Sequence, residues 1–301
     1  MLFSLVIPTY NNLPELKHCL AALDLIPRDD FEVLVGVDGS TDGTLEWLST
    51  ARFHFPMQHF SHSDLGNHGR SATRNLTLAH IRGLYTLFMD SDMEASPDLL
   101  EQHRLLLSRG NTVSVGAVAY RNREGNIWAR YISERGVAKF QDGAIVPFNY
   151  FITPNTAMPS DWFQSLGGFD EAIHRYGGED MELGYRIHLK YHPQFIYHAR
   201  AVVTTTQPKQ LEEALLQLRE YGATGLRYIA RKWPELRTVF WVNHCNAPGV
   251  IHSVFRLLTS RLFQRISRWA IRFTPFVIQK ILVSHLVISA VHDGYRNGLH
   301  S

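Results

Sequence analysis

The chain has 301 residues, of which 45% are hydrophobic and 19% are charged, a balance that excludes an intrinsically disordered protein and leaves ample apolar material for a core. Its formal net charge of +2 at pH 7 gives no reason to expect a nucleic-acid partner. The length fits an α/β domain with a C-terminal appendage, and we predict the domain at residues 1–208 and a helical region at residues 209–301.

The two cysteines and the first residues indicate the compartment. Cys19 and Cys245 show neither the spacing of metal ligands nor a disulfide framework, which fits a reducing cytoplasm, and both are expected to be small buried hydrophobic residues. Residues 2–7 are already typical of a strand, which leaves no room for a signal peptide. We therefore predict a cytoplasmic protein.

Strands and helices alternate through the first 60 residues. Buried strands are indicated by apolar runs that stop at Pro8 and at Asp38, and helices by apolar residues three or four apart, with Asn12 as the cap of the first. We predict strands at residues 2–7, 31–38 and 53–60, and helices from Leu13 and at residues 45–50. Because strand and helix alternate, this order predicts a parallel sheet flanked by helices.

A polar loop at residues 62–69 leads into a helix predicted at residues 70–82. Arg70 and Arg74 lie four residues apart near the start of this helix and therefore share one face. Two arginines placed there can neutralise a diphosphate by paired hydrogen bonds. The alternative is that both are ordinary charged residues in water.

A strand at residues 84–89 runs directly into Asp90 and Asp92. The carboxyl ends of strands in open α/β sheets are where ligands bind, and residues two apart share a face while the backbone stays extended. Two carboxylates there suit Mg²⁺ or Mn²⁺, which can also coordinate a diphosphate. The alternative is that Asp90 opens a turn and that Asp92 faces water.

Four short blocks follow one another in this half: VIPTYN at residues 6–11, DGSTDGT at 38–44, GRSATRN at 69–75 and DSD at 90–92. In this order they resemble the motifs of family 2 glycosyltransferases of the GT-A fold. The resemblance implies a nucleotide-sugar-binding sheet, with Asp92 as the main metal ligand. It implies that the donor binds Pro8, Thr9, Tyr10, Asp38 and Arg74, to which we add Arg70 and Asp90. In one departure, Val37 stands where an acid is common in the family.

The second half continues with a strand predicted at residues 112–120. Residues 121–145 are polar and lack clear periodicity, which predicts a loop near the acceptor; a hairpin around residues 124–126 is the alternative. A further strand is predicted at residues 151–159, and Asp161 can cap the short helix after it.

Residues 176–186, YGGEDMELGYR, combine two glycines with several acids. The glycines let the backbone approach a ligand closely, and the acids lie in the first turn of a predicted helix. Glu179 and Asp180 can simply complement the helix dipole. Alternatively, Asp180 accepts the proton of an acceptor hydroxyl group while Glu179 orients that sugar.

The wider block at residues 167–186 resembles the galactosyltransferase-type C-terminal signature of inverting enzymes, including polymerases of the chondroitin type. This resemblance implies the catalytic interpretation of Glu179 and Asp180. Tyr176 stands where the family often has Trp, which suggests a different fit to the acceptor sugar.

His198 is a third candidate metal ligand, at the end of a strand predicted at residues 195–198. In related enzymes a histidine after this point can complete the metal site, and imidazole binds Mn²⁺ beside carboxylates. The alternative is coincidence, because the chain contains 16 histidines.

The C-terminal region is predicted to begin with a helix at residues 211–231. After a turn at residues 246–249, apolar residues fall on one helical face and arginines on the stripe beside it. The apolar set is Leu258, Leu262, Ile266, Trp269 and Phe273, and the basic set is Arg261, Arg265, Arg268 and Arg272. The pattern is typical of a helix lying on anionic lipid; the alternative is a helix packed on the catalytic domain with its arginines in water.

Residues 273–291 are nearly apolar, but Pro275, Gln279, Lys280 and His285 interrupt them. A transmembrane helix needs about 20 predominantly apolar residues. We therefore predict a pair of surface-lying or packed helices rather than a membrane span.

The resemblance to family 2 implies a metal-dependent inverting glycosyltransferase, and the helical pattern of the C-terminal region adds an amphipathic appendage. We expect a UDP-sugar donor, Mn²⁺ or Mg²⁺ as cofactor, and a glycan or lipid-linked acceptor at the inner face of the cell membrane. One alternative is a nucleotidyltransferase acting on sugar phosphates, although the Gly-rich loop expected after its first strand is missing. The other is a non-catalytic membrane-bound scaffold.

Overall fold

A mixed β-sheet forms the centre of the computed structural model, which describes residues 1–205, 207–239 and 257–298. The strands in these residues are β1 Phe3–Thr9, β2 Phe31–Val37, β3 Met57–Ser61, β4 Tyr85–Met89, β5 Met93–Ala95, β6 Thr112–Tyr120, β7 Ile145–Val146, β8 Asn155–Pro159 and β9 Gln194–Thr205. The helices are α1 Leu13–Leu23, α2 Thr44–Thr50, α3 Arg70–Asn75, α4 Leu99–Leu107, α5 Ile127–Ile132, α6 Ser160–Ser165, α7 Glu179–Tyr191, α8 Leu211–Ala223, α9 Gly225–Lys232, α10 Leu236–Val239, α11 Arg261–Ile271 and α12 Phe276–Asn297.

The strand order in the sheet is β3-β2-β1-β4-β8-β6-β9-β5, with β7 paired to β9. The strands β1 to β4 are parallel to one another. β8 runs antiparallel between β4 and β6, and β5 and β7 run antiparallel to β9. β6 and β9 pair in parallel and run in the same direction as β1 to β4, so the predicted parallel sheet is right for these six strands and wrong for β5, β7 and β8. A buried strand has the same apolar run in either direction, so the sequence pattern does not reveal the reversal.

The central strands β1 and β2 are buried along their whole length, and Ser4 of β1 forms a hydrogen bond with Glu32 of β2. The Ser4 hydroxyl donates to Glu32 Oε1 at 2.6 Å, and Arg82 forms an ion pair with Glu32 Oε2. Ser4 Oγ also accepts the Gly83 N–H at 2.8 Å. A buried carboxylate is costly unless it is paired, so this cluster binds the turn before β4 to the first two strands.

Two predicted elements in the first half are shorter than expected. The helix predicted at residues 70–82 ends at Asn75, because the Thr77 hydroxyl donates to the Arg74 carbonyl and a 3₁₀ turn follows. The third strand begins at Met57 and not at residue 53. Phe53 stacks on Phe55 with ring centroids 5.0 Å apart, so these aromatic residues contribute to the core instead of the ladder.

The segment at residues 121–145 is neither a structureless loop nor a hairpin, so both predictions for it are wrong. It contains the helix α5 and short 3₁₀ helices at Arg123–Gly125 and Gly136–Lys139. The following strand begins at Asn155, four residues later than predicted. Phe151, which was assigned to that strand, is buried in the core after a 3₁₀ turn at Phe148–Tyr150.

The chain divides into two compact units. The first comprises Met1–Arg123, Ile132–His174 and Glu179–Pro208, and the second comprises Glu124–Tyr131, Arg175–Gly178 and Lys209–Ser301. The two short segments at residues 124–131 and 175–178, which we assigned by sequence to the α/β domain, thus group with the C-terminal helices. Cys19 is buried and free, and Cys245 lies outside the described residues.

In the second unit, the single helix predicted at residues 211–231 is two helices that meet at Thr224. α8 packs closely on α12 through glycines. A Cβ atom on Gly222 would lie 2.1 Å from the Val291 carbonyl oxygen, and one on Gly294 would lie 1.9 Å from the Arg219 carbonyl oxygen. Any larger residue at either position would force these two helices apart.

Among the described helices, α12 alone is long and apolar enough to cross a membrane, with 22 residues and a mean hydropathy of 1.3. A core helix of a soluble protein meets the same criteria of length and composition. One face of α12 is buried in the second unit, where Leu286 and Ala290 pack with Leu215 of α8.

Candidate active site

The loops after β1, β2 and β4 are bound to one another by side chains. The Asn11 N–H donates to Ser40 Oγ at 3.0 Å, and the Thr41 N–H donates to Asn11 Oδ1 at 2.8 Å. Asn12 Nδ2 donates to Ser91 Oγ at 3.2 Å. Three of the four sequence blocks therefore meet at the carboxyl edge of the sheet, where open α/β folds bind ligands.

Asn12 does not cap α1 as predicted, because its side chain makes no capping hydrogen bond. Asp42 takes that role from the neighbouring loop, where its Oδ2 accepts the Leu13 N–H at 2.8 Å. The helix start and the second block are therefore fixed together, and the hydrogen bonds from Leu13 and Thr44 lower the pKa of Asp42.

The three residues predicted to bind the donor at the end of β1 differ in exposure. Pro8 lies in the ladder opposite Gly36, and Thr9 is buried. The hydroxyl group of Thr9 has no hydrogen-bond partner in the described part of the chain. Tyr10 is 52% exposed and directly follows β1 at the sheet edge.

Asp38 is buried and holds the loop that precedes α3. Its Oδ1 accepts the His68 N–H at 2.7 Å, and its Oδ2 accepts the Gly69 N–H at 3.1 Å. Gly69 has φ +86°, and a Cβ atom there would lie 2.3 Å from the His174 carbonyl oxygen, so only glycine fits. Asp38 thus positions the third sequence block in addition to any contact with a nucleotide.

Arg70 and Arg74 do not act as the pair that their helical spacing suggested. Arg70 is exposed, whereas Arg74 is 1% exposed and is the largest fully buried side chain in the described residues. The guanidinium carbon of Arg74 lies 5.3 Å from the centroid of the Phe169 ring, and this cation–π contact adds to the burial of Arg74. Of these two arginines, Arg70 is therefore the one at the surface.

Arg74 instead joins the two groups of predicted acids. Its Nη2 donates to Asp90 Oδ1 at 2.9 Å and to Thr153 Oγ1 at 3.0 Å, and its Nη1 lies 3.4 Å from Glu179 Oε1. Arg74 Nε and Glu179 Oε2 are buried without hydrogen-bond partners among the described residues. Removing one partner of a buried ion pair typically costs 3–5 kcal/mol, so this network strongly constrains the site.

Asp180 follows Glu179 in the first turn of α7 and is partly buried. Burial, followed by the charge of Glu179, raises the pKa of Asp180 to about 7, while the Met181 N–H and Arg74 act in the opposite direction. The Met181 N–H donates to Asp180 Oδ1 at 2.7 Å. A carboxyl group with a pKa near neutrality can both take up and release a proton under physiological conditions.

Asp90 and Asp92 contribute negative charge to the same region. Burial raises the pKa of the Cys19 thiol, and the charges of Asp92, Asp90 and Glu94 raise it further. Asp90 and Asp92 directly follow β4, so both lie at the carboxyl end of this strand. Carboxylate oxygen atoms are the hard donors that Mg²⁺ and Mn²⁺ prefer, so the chemistry of this pair is compatible with a divalent cation.

His198 is not brought to these aspartates as a third ligand. Its Nδ1 lies 3.1 Å from Asp142 Oδ1 and its Nε2 lies 3.0 Å from Gln102 Oε1, so both ring nitrogens have other partners. The described residues contain no group of three or more His, Cys, Asp or Glu side chains that could hold a metal ion. The reason is topological, because β9 continues past His198 to Thr205 and pairs there with β6 and β5.

The glycines at 177 and 178 have a packing role. A Cβ atom on Gly177 would lie 3.0 Å from the Tyr221 ring, and one on Gly178 would lie 2.8 Å from Ile229 Cδ1. Both glycines have positive φ. They permit close packing within the second unit. This packing explains why glycine occupies both positions without the predicted approach to a ligand.

Sequence reasoning missed residues that position the acids. Thr153 accepts a hydrogen bond from Arg74, and Glu182 pairs with Arg186 at 2.8 Å within α7. Arg186 also donates to the carbonyl groups of Leu166 and Gly168 at 3.0 and 2.8 Å. The spacing of four between Glu182 and Arg186 was an available signal, whereas nothing local marks Thr153.

Asn75 forms hydrogen bonds with the turn that follows α6. Substitutions at the two glycines of this turn can measure how much these bonds stabilise it. Its side chain accepts the Phe169 N–H at 2.8 Å and donates to the Phe169 carbonyl at 2.9 Å. Gly167 and Gly168 both have positive φ, but a Cβ atom would meet nothing within 4 Å at Gly167 and would lie 2.3 Å from Asn75 Oδ1 at Gly168.

We expect Gly167→Ala to lower the free energy of unfolding by about 1 kcal/mol through backbone strain alone. Gly168→Ala should cost about 3 kcal/mol, because it adds the loss of the Asn75 hydrogen bonds to the same strain. Denaturant unfolding of both variants measures the difference. Equal costs would mean that the Asn75 contact does not stabilise the turn.

Comparison with known proteins identifies the fold and the family. A family model described as glycosyl transferase family 2 matches residues 4–167, which is more than half of the chain. The chain belongs to glycosyl transferase family 2. A second model, described as the N-terminal domain of galactosyltransferase, matches residues 140–206 and includes the acids of α7.

Curated relatives of this family 2 chain match 62% of it. The uncharacterized glycosyltransferase YfnE of Bacillus subtilis is 27% identical, and the match covers 60% of its length. Validoxylamine A glucosyltransferase of Streptomyces hygroscopicus subsp. jinggangensis is 29% identical with 51% covered, and chondroitin synthase of Escherichia coli is 26% identical with 32% covered. The matches thus span between a third and three fifths of these relatives.

Solved structures confirm the predicted GT-A glycosyltransferase fold. The mannosyltransferase PcManGT from Pyrobaculum calidifontis, in complex with GDP-Man and Mn²⁺, has a TM-score of 0.61 at 17% identity, covering 97% of this chain and 86% of that one. Residues 1–349 of TarS from S. aureus, in complex with UDP, have a TM-score of 0.59 at 17% identity, covering 99% and 92%.

Proposed function

We propose that this family 2 glycosyltransferase is a metal-dependent inverting enzyme that moves a sugar from a UDP-sugar to a hydroxyl group of a glycan or lipid-linked acceptor. The observation that carries the proposal is the buried guanidinium of Arg74. It contacts Asp90 at 2.9 Å and Glu179 at 3.4 Å, and so ties the acid at the end of β4 to the acids at the start of α7. Donor and acceptor groups are thereby held around one residue, as direct transfer requires.

The donor would lie across the carboxyl ends of β1, β2 and β4. Tyr10 and Asp38 would contact the nucleoside, and the exposed Arg70 would contact the diphosphate. Asp92 and Asp90 would hold Mg²⁺ or Mn²⁺, which supplies charge neutralisation for the leaving diphosphate. The two carboxylates that follow β4 support a cation there, and the fold neighbours that contain UDP or Mn²⁺ support this choice of ligands.

Asp180 would act as the general base. Its carboxylate accepts the proton of the acceptor hydroxyl, whose oxygen attacks the anomeric carbon from the face opposite the diphosphate, so that the configuration inverts. Glu179 Oε1 is engaged by Arg74, whereas its Oε2 has no partner among the described residues and can accept a hydrogen bond from the acceptor sugar.

A donor screen tests the proposal. The protein is incubated with UDP- and GDP-sugars, with and without Mn²⁺, and release of the nucleoside diphosphate is measured. We expect release from a UDP-sugar only with the metal, and NMR of the product should show an inverted anomeric centre. Exchange of pyrophosphate would support a nucleotidyltransferase instead, and a retained configuration would reject the role given to Asp180.

We further propose a cytoplasmic location at the inner face of the cell membrane. The apolar helix α12 and the basic helix before it support this location. A lipid-linked acceptor would be presented at that surface.

A further inference from the structure

Helix α11 exposes its apolar residues instead of burying them. Leu262 and Trp269 are 63% and 64% exposed, and Phe273, just beyond the helix, is 71% exposed. Ser267 is the one residue of α11 that is buried. These apolar side chains of α11 are therefore accessible to solvent in the described structure.

The exposed face continues onto α12. Val277 and Ile281 are 68% and 65% exposed, and they lie one helical turn apart on the side of α12 away from the buried Leu286. We define the docking face by six of the exposed apolar residues in this region: Leu262, Ile266, Trp269, Phe273, Val277 and Ile281. Contiguous exposed apolar surface of this kind marks an interaction site, because isolated exposed apolar residues are normal but rows of them are not.

The charged residues beside this face indicate the kind of partner that would bind it. Residues 257–292 contain five Arg and Lys residues and no Asp or Glu. Arg268 forms an ion pair with Glu212 at 2.9 Å, but Arg261, Arg265 and Arg272 form no ion pair within the described ranges. In a two-fold pairing of two copies through this face, the same basic residues would face each other and repel. An anionic plane complements them without this penalty.

We propose that α11 and the first turns of α12 form a docking face for an anionic lipid bilayer, with Trp269 and Phe273 inserted at the interface and the unpaired arginines against the head groups. Tryptophan and phenylalanine are the residues that interfacial helices place at this depth. α12 lies along the surface and does not cross the bilayer, because its other face is occupied by α8. This docking face would hold the protein at the membrane location proposed above, so the inference rests on that part of the proposed function.

Co-sedimentation of the full chain with vesicles of phosphatidylglycerol and phosphatidylcholine tests the proposal. We expect binding to these vesicles, weak binding to pure phosphatidylcholine, and partial release by salt. Changing Arg261, Arg265 and Arg272 together to Gln should lower the affinity by roughly fivefold per residue and on the order of a hundredfold in total, from about 1 kcal/mol for each basic residue. The corresponding triple Lys variant should bind like the parent.

Matched controls distinguish binding through the docking face from nonspecific electrostatic or hydrophobic binding to the vesicles. Changing Arg268 and Glu212 together to Gln removes an existing ion pair without changing the net charge, so binding should not change. Changing Trp269 and Phe273 to Ser should weaken binding in a way that low salt does not restore. Leu25→Ser removes a residue that is 75% exposed in the first unit and should have no effect.

Several results would overturn the proposal. Failure of the parent to sediment with anionic vesicles would do so, as would unchanged binding of the triple Gln variant. Retention in the membrane pellet after alkaline carbonate treatment would show that α12 spans the bilayer. A dimer that depends on Trp269, in a parent that does not bind vesicles, would assign the face to a second copy. None of these measurements uses turnover, so the glycosyltransferase proposal can stand or fail separately.

Discussion

The substitution Asp180→Asn is expected to reduce turnover by 10²- to 10⁴-fold, the range typical for loss of a general base. Asparagine keeps the shape of the side chain but cannot accept the proton of the acceptor hydroxyl. The affinity for UDP, measured by calorimetry, should stay near that of the parent, because a general base acts in the transition state and not in donor binding.

The pH dependence of the parent follows from the same residue. Burial and the neighbouring Glu179 raise the pKa of Asp180 to about 7, and the base works only when it is deprotonated. Turnover should therefore rise with pH through neutrality and level off above it. The raised pKa also means that the folded state binds this proton more tightly than the unfolded chain, so this group contributes less stability as the pH rises through 7. Asp180→Asn should remove both effects.

Asp161 provides a matched control for Asp180. It is an exposed acid in the first turn of α6, where it can complement a helix dipole but has no catalytic neighbour. Asp161→Asn should change stability by less than about 1 kcal/mol and leave turnover unchanged. If Asp180→Asn behaves in the same way with a verified acceptor, Asp180 has only the dipole role.

The substitution Asp92→Asn is expected to abolish metal-dependent donor binding. The change removes one negative charge from a two-carboxylate donor set with little change in size. Even residues that only support metal ligands typically contribute 10- to 100-fold to metal affinity, so loss of a ligand should cost on the order of a hundredfold or more. Titration of UDP with and without Mn²⁺ measures the effect.

The parent should bind UDP more tightly when Mn²⁺ is present, whereas the Asp92→Asn variant should bind it equally weakly in both conditions. Asp98→Asn is the control, because Asp98 is exposed and forms side-chain hydrogen bonds with Ser96 and Gln102. Asp98→Asn should titrate like the parent. An Asp92→Asn variant that keeps the full Mn²⁺ effect would move the metal away from β4.

Local sequence patterns predicted the frame of the site correctly. The apolar runs of β1, β2 and β4 stand out because these strands are buried on both faces, and the residues after each run are at the sheet edge by necessity. The start of α7 was also predictable, because acids after two glycines mark a helix amino terminus. The motif order was enough to predict the GT-A fold.

The arrangement inside the site could not be predicted in the same way. Helical spacing placed Arg74 beside Arg70, but the partners that bury Arg74 are 16, 79 and 105 residues away in sequence. His198 had a plausible place after a strand, yet its ring nitrogens pair with Asp142 and Gln102. Periodicity reports which face of an element is apolar and says nothing about which distant residue meets it.

The sequence by itself determined the family, the strands that form the sheet edge, and the acids at the ends of β4 and at the start of α7. It did so because burial and backbone preference act on neighbouring residues and leave a repeating pattern. Only the tertiary structure decided that Arg74 joins those acids and that the apolar face of α11 is exposed. Both depend on contacts between residues far apart in the chain, and an amphipathic helix has the same sequence whether its apolar face meets a protein core or a lipid surface.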